Sequence, residues 1–329
     1  MQTAVTRRQF LAAGAAVLAA PRLASAAGAQ ITIGITVDTR PDWNGADNFV
    51  RSIREASAVG YHWVETFWNY VERYEKNPQE LKDLLASLNL KLETVSNGGR
   101  MNTNFQDASQ RAAIVEDHMR LVRFIQQFGC DHLKINCGRP ERGGNTPAVY
   151  REMSLTFNEI GRRMTDLGMK FAIHAHLDSK LENRRDVDAV LEQTDPRHVW
   201  FVLDTGHITM AGMDPVEITR TYVSRIIEYH LKDTAPENRG GYKGPPLKPG
   251  AYNTTPENVV FYELGKGGVD FPGILAILHR NNWKGWGTVE LDRTTSTARQ
   301  SCAITKKYIE EVIGVRLEVE QNQLVAVVV

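Results

Sequence analysis

Eight short runs rich in apolar and β-branched residues recur along this chain, and all but the last are followed by a helical stretch or a long loop. The runs are 31–37, 62–67, 90–95, 132–136, 170–174, 198–203, 226–231 and 286–291. Between them, 45–59, 77–88, 107–128 and 148–167 have helical spacing, and Asn77-Pro78 reads as an N-cap and first turn. Several strand runs are continuously apolar, as expected when both faces of a strand are buried. Regular strand–helix alternation favours a parallel sheet, and eight units favour closure. The fold class read from this pattern is α/β, a single (β/α)8 TIM barrel. An open doubly wound sheet would carry a glycine-rich first turn, and Val37-Asp-Thr-Arg-Pro-Asp42 has none.

The chain has 329 residues, and a barrel of about 250 residues is routinely one domain. Three segments follow from the sequence: a leader at 1–27, the barrel at 28–314 and a tail at 315–329. The leader reads as a twin-arginine export signal. Thr6-Arg-Arg-Gln-Phe-Leu11 precedes an apolar run to Ala20, then Leu23-Ala-Ser-Ala26 offers a cleavage site after Ala26. An apolar run of about 11 residues is too short to span a bilayer, so no stable membrane anchor is expected. The expected location is the periplasm, reached in the folded state. The leader holds three arginines and no acid, so the remainder carries 36 basic and 39 acidic residues, net −3. No basic excess points to nucleic acid. Cys130, Cys137 and Cys302 are read as buried thiols, since the strand between the first two separates them by roughly 20 Å. The Gly- and Pro-rich stretch 236–257 is expected to be a structureless, functional loop or lid.

Four strand ends carry potential metal ligands: Ala-Ile-His174-Ala-His176, Val-Leu-Asp204-Thr-Gly-His207, Glu-Tyr-His230-Leu-Lys-Asp233 and Thr-Val-Glu290-Leu-Asp292. In a parallel barrel these ends face one mouth, where barrel enzymes place their chemistry. His174, Asp204, His230 and Glu290 make a nitrogen and oxygen ligand set for one divalent ion. Zn²⁺, Mg²⁺, Mn²⁺ and Co²⁺ are all compatible with that set. Register alone leaves the ligand on the fifth strand open between His174 and His176. Asp204 has an alternative role as a helix cap, and Glu290 as a salt-bridge partner of Arg293. Asp233 is placed behind His230, orienting its ring.

Leu203-Asp-Thr-Gly-His207, His230-Leu-Lys-Asp233, Leu264-Gly-Lys-Gly-Gly-Val-Asp-Phe271 and Val289-Glu290 resemble the motifs of the xylose isomerase-like barrels. That group includes sugar-phosphate isomerase/epimerases, inosose dehydratase and, more distantly, AP endonucleases. The resemblance covers roughly residues 31–312. It implies a sugar or glycoside substrate, a metal, Mn²⁺ first, held by the last three strand-end residues, and it makes a homodimer plausible. In the epimerases the fifth strand supplies a glutamate, and two glutamates exchange protons with the sugar. Here that strand offers His174 and His176 instead.

The first reading is a metal-dependent isomerase or epimerase that abstracts a proton beside a metal-polarised carbonyl or hydroxyl. The alternative on the same site is a lyase or hydratase. It would cleave 3-keto-glycosides or dehydrate oxidised sugars by β-elimination, and the export signal favours it. A non-catalytic sugar-binding module is a third reading. DNA repair would call for a basic track that the chain lacks. The candidate catalytic residues are His176, Glu290, His207 and Lys134. Candidate substrate contacts are Glu65, Asn136, Lys232 and Trp68, with Trp43, Tyr70 and Asn97-Gly-Gly-Arg100 as lesser ones; Glu65 reads equally as a structural partner of Lys134, and Lys232 has a solvent-facing alternative.

Overall fold

In a computed structural model, the described residues are 28–37, 42–43, 45–97, 103–294, 296–315 and 317. The export-signal reading, most of the tail and Gly98–Arg100 lie outside them. The eight expected strands form, in chain order, β1 (Gln30–Thr36), β2 (Trp63–Phe67), β3 (Lys91–Ser96), β4 (His132–Asn136), β5 (Lys170–His174), β6 (Val199–Asp204), β7 (Ile226–Leu231) and β10 (Lys284–Val289). They pair in parallel in the order β3-β2-β1-β10-β7-β6-β5-β4. The chain is thus a nearly closed eight-stranded barrel ringed by helices.

The last barrel strand begins two residues before the expected run, because Lys284 and Gly285 pair with Gln30 and Ile31 of β1. Glu290 and Asp292 therefore sit just past its end, on the mouth. A helix, Ala298–Tyr308, follows this strand, where none was read. The helix expected from Asp107 starts only at Arg111, since the Asp107 carboxylate folds back onto the Ser109 amide and the Gln110 side chain. Asn77 precedes the helix Pro78–Ser87 but makes no side-chain cap bond.

The seam between β3 and β4 is closed partly by side chains. Asn97 continues β3 in place of a ladder: its amide donates to the Lys134 carbonyl (3.3 Å), and its Oδ1 accepts from the Asn136 amide (3.0 Å). Thr94 Oγ1 donates to the His132 carbonyl at 2.8 Å. Asn97 is therefore a structural closure residue rather than a lining of the mouth.

Outward-facing strand residues such as Val64, Leu92, Leu133 and Ile135 are fully or almost fully buried, as the apolar runs require. The interior of the barrel, by contrast, is rich in charged side chains. Glu65, Glu93, His132, Lys134, Glu228 and His230 are all at most 1% exposed. Buried charge on this scale is tolerated only when paired. Here His132 Nε2 lies 3.1 Å from Glu228, and Lys134 Nζ lies 2.7 Å from Glu65.

The stretch 236–257 is not structureless. It holds two 3-10 turns, Pro236–Asn238 and Pro256–Asn258, and is flanked by β8 (Asp233–Thr234) and β9 (Phe261–Tyr262), which pair antiparallel. All three cysteines are buried free thiols.

Candidate metal centre and active site

Asp204 ends β6 and opens a short helix, Thr205–Met210, by capping it: Oδ1 accepts from the His207 amide at 2.8 Å. Capping and ligation, posed as alternatives by the sequence, use different oxygens. Oδ2 points into the mouth, 3.5 Å from His174 Nε2 and 3.6 Å from His230 Nδ1. Glu290 Oε2 lies 2.5 Å from His230 Nδ1. Ligand atoms of His174, Asp204, His230 and Glu290 all lie within 4.8 Å of one another, and all four residues are buried. His174 Nε2 has no hydrogen-bond partner, while Asp204 Oδ2 faces the Lys232 ammonium at 3.1 Å. Leaving a buried imidazole nitrogen unpaired costs about 1–3 kcal/mol. A divalent ion bound there would recover that cost, so the residues present fit the metal.

The surroundings set each ligand's proton. His174 Nδ1 donates to Asn136 Oδ1 at 2.8 Å, which leaves the Nε2 lone pair facing the centre. Burial holds His174 neutral, with its pKa down at about 3. His230 Nε2 is turned away from the centre, 3.1 Å from Glu228 Oε1 and 3.3 Å from Glu65 Oε2. Lys134 Nζ sits 3.1 Å from the same nitrogen.

This placement corrects several sequence expectations. Asn136 orients His174, and its side-chain oxygen is committed there. Glu65 and Lys134 form the structural pair that the sequence allowed, buried beneath His230 at 0% and 1% exposure, rather than the substrate contact and catalytic residue also expected of them. Trp68 is 1% exposed and packs edge-on against Phe124, because Trp68–Val71 forms a one-turn helix that swings it away from the mouth. Trp43 is also buried, donating to Glu55. Tyr70 packs on Phe67. Asp233 does not orient His230. Its carboxylate accepts from the amides of Thr234, Gly265, Gly267 and Val269 at 2.9–3.0 Å. A Cβ on Gly267 would come 1.8 Å from the Thr234 carbonyl, which explains the glycines of that turn. Arg293 donates to the Thr254 carbonyl rather than pairing with Glu290.

His176 is not in the ligand cluster. It is half-buried, its Nδ1 donates to the Leu177 carbonyl, and its ring stacks on His207 with centroids 3.6 Å apart. Burial, then the Lys232 charge, lowers its pKa, so its Nε2 is a free base at neutral pH. Burial, then His176 and Lys232, push His207 well below the usual imidazole range. Lys232 is fully buried, with Nζ 3.1 Å from Asp204 Oδ2, Glu290 Oε2 and His207 Nε2. Gly206 makes room for its stem: a Cβ there would lie 2.6 Å from Lys232 Cγ. Burial disfavours the ammonium, but Asp204, Asp292 and Glu290 hold its pKa above the ordinary lysine value. Asp292, 3.5 Å from Lys232 Nζ and about three-tenths exposed, adds a carboxylate that the sequence reading did not assign a role. Its spacing two residues after Glu290 was the available signal.

Candidate metal ligands, a neutral imidazole and a buried ammonium at the carboxyl ends of parallel strands define an enzyme of the barrel class. Residues 53–308 match the xylose isomerase-like TIM barrel family, and the chain belongs to it. The inosose dehydratase of Clostridium botulinum strain Alaska E43 is 27% identical over 293 residues, covering 85% of this chain and 94% of that protein. Among solved structures, the IolI protein with a bound zinc atom superposes with a TM-score of 0.64 at 17% identity, covering 86% of this chain and 98% of that one. The probable 3-DHS dehydratase AsbF of Bacillus anthracis gives 0.64 at 15% identity, covering 86% of this chain and all of that one. These structural likenesses establish the fold.

Proposed function

We propose that this protein is a metal-dependent lyase of oxidised sugars or cyclitols, expelling a β-substituent next to a keto group. The observation that carries the reading is the fifth strand. It supplies His174 as a neutral ligand and His176 as a neutral imidazole at the rim, where two-base epimerisation calls for a second glutamate. The family's dehydratase members, inosose dehydratase foremost, support elimination over the isomerase reading. A divalent ion on His174, Asp204, His230 and Glu290 would polarise the substrate carbonyl and acidify the adjacent C–H; the zinc of the IolI barrel is a precedent within the fold.

The chain's own groups then divide the proton work. His176 Nε2 takes the proton from carbon, its ring held by the Leu177 carbonyl and the His207 stack. The Lys232 ammonium, fixed by Asp204 and Glu290, donates to the leaving oxygen, which departs as water or as an alcohol. Glu65, Lys134 and Glu228 lock His230 from behind. The strand packing and the 236–260 segment shield the groups from bulk water.

Metal-loaded protein should convert an inosose or a 3-keto-glycoside to the unsaturated ketone, and metal-stripped protein should not. Lys232→Met should lower turnover by about 10²-fold or more. Full activity in that variant would remove the proposed acid. The proposed location is the periplasm. Replacing Arg7-Arg8 by Lys-Lys should strand the protein in the cytoplasm, and undiminished export would rule out the twin-arginine route.

A further inference from the structure

We infer that Asp178 is a latch: it fastens the 236–260 segment across the mouth and thereby positions His176. After β8 this segment packs along the helix Thr205–Met210, where the Tyr242 amide donates to the Thr209 carbonyl at 2.8 Å. It then passes over the β5 loop and reaches the end of β10. Two donors of the segment meet one oxygen of the β5 loop. The Gly250 amide and the Tyr252 hydroxyl each donate to Asp178 Oδ2 at 3.1 Å. Further along, Asn253 Nδ2 donates to Asp292 at 3.4 Å and Arg293 donates to the Thr254 carbonyl at 3.1 Å.

Beneath these bonds, Tyr242, Leu247 and Tyr252 pack on a small apolar cluster of Leu177, Met210, Phe261 and Leu291, separate from the main core. Phe261 in turn stacks edge-on against His207, with centroids 4.8 Å apart. The outermost stretch, Lys243–Pro246, is exposed. The segment is thus held at several points, and to the β5 loop by the two bonds to Asp178, contacts of a kind that open locally.

Asp178 lies two residues after His176 and holds a left-handed backbone, φ 61°. Among non-glycine residues, aspartate and asparagine adopt that conformation most readily. The loop that presents His176 and the segment that covers it therefore share one fastening. Closure and the position of the base are coupled.

The test uses the full metal-loaded protein and limited trypsin cleavage after Lys243. Losing two hydrogen bonds should raise the open population, and so cleavage, by about tenfold in Asp178→Gly, which keeps the left-handed backbone. Tyr252→Phe, which loses one part-buried bond, should give about threefold. Asp178→Asn, which keeps an acceptor and tolerates the backbone, should match the wild type. Metal affinity should be unchanged in all three. On the elimination substrate, kcat/KM should fall in step with the rise in cleavage, and that arm rests on the function proposed above. Wild-type cleavage rates in both Asp178→Gly and Tyr252→Phe, or an Asp178→Asn as open as the glycine variant, would overturn the latch. Absence of elimination in the wild type would remove the function and leave the trypsin result to decide the latch.

Discussion

At the level of single residues, the two histidines at the end of β5 occupy different environments, and the proposed roles can be separated. His174 is 2% exposed and its unpaired Nε2 faces Asp204; His176 is half-buried and faces the rim. His174→Ala should lose the metal, read as bound ion per chain, with activity following. His176→Ala should keep full metal and lose about 10²–10⁴-fold in turnover. The opposite pattern would exchange the two roles. A second residue-level prediction concerns His132. Burial works against its charged form, but hydrogen bonds to Asp131 and Glu228 outweigh this and raise its pKa from 6.5 to about 10. A raised folded-state pKa stabilises the protein fully below pH 6.5, and that stability is lost as pH climbs toward 10. His132→Gln should cost about 3 kcal/mol at pH 6 and markedly less near pH 10, measured by denaturant unfolding. An equal loss at both pH values would mean that the ring is held neutral.

At the level of elements, the turn 264–270 is built around Asp233, not around the metal. Asp233→Ala should therefore lower stability by about 1–3 kcal/mol yet leave metal content at the wild-type value. Loss of the ion would restore Asp233 to a place behind His230. The eight strands were legible in the sequence because both of their faces are buried or paired, and β4, β5 and β7 match to the residue. What was not legible depended on partners far along the chain. Asp233 finds amides 32–36 residues away. Asn97 closes a seam with a strand 39 residues on. Trp68 looked like a mouth residue because it follows a strand, and a one-turn helix sends it the other way. The β8–β9 pair has two residues per strand, too few for any periodic signal.

At the level of the whole molecule, the barrel does two things with its interior. Its mouth gathers the metal ligands, and its floor replaces the usual apolar filling with paired charge running from Asp131 through His132 and Glu228 to His230. The ligand positions were readable because strand ends in a closed parallel sheet converge on one rim. The burial of the cation was not: Lys232 reads in sequence as a substrate contact or a solvent-facing charge, yet closure brings it within 3.1 Å of both candidate ligand carboxylates. The elimination reading rests on the histidine pair, which stands where the epimerases carry a glutamate. The most direct measurement is NMR of products formed by the metal-loaded protein from an inosose or a 3-keto-glycoside in D₂O. An unsaturated ketone formed with loss of water or of the aglycone is the predicted result. Deuterium incorporated at the carbon beside the carbonyl, with every bond to oxygen intact, would contradict it.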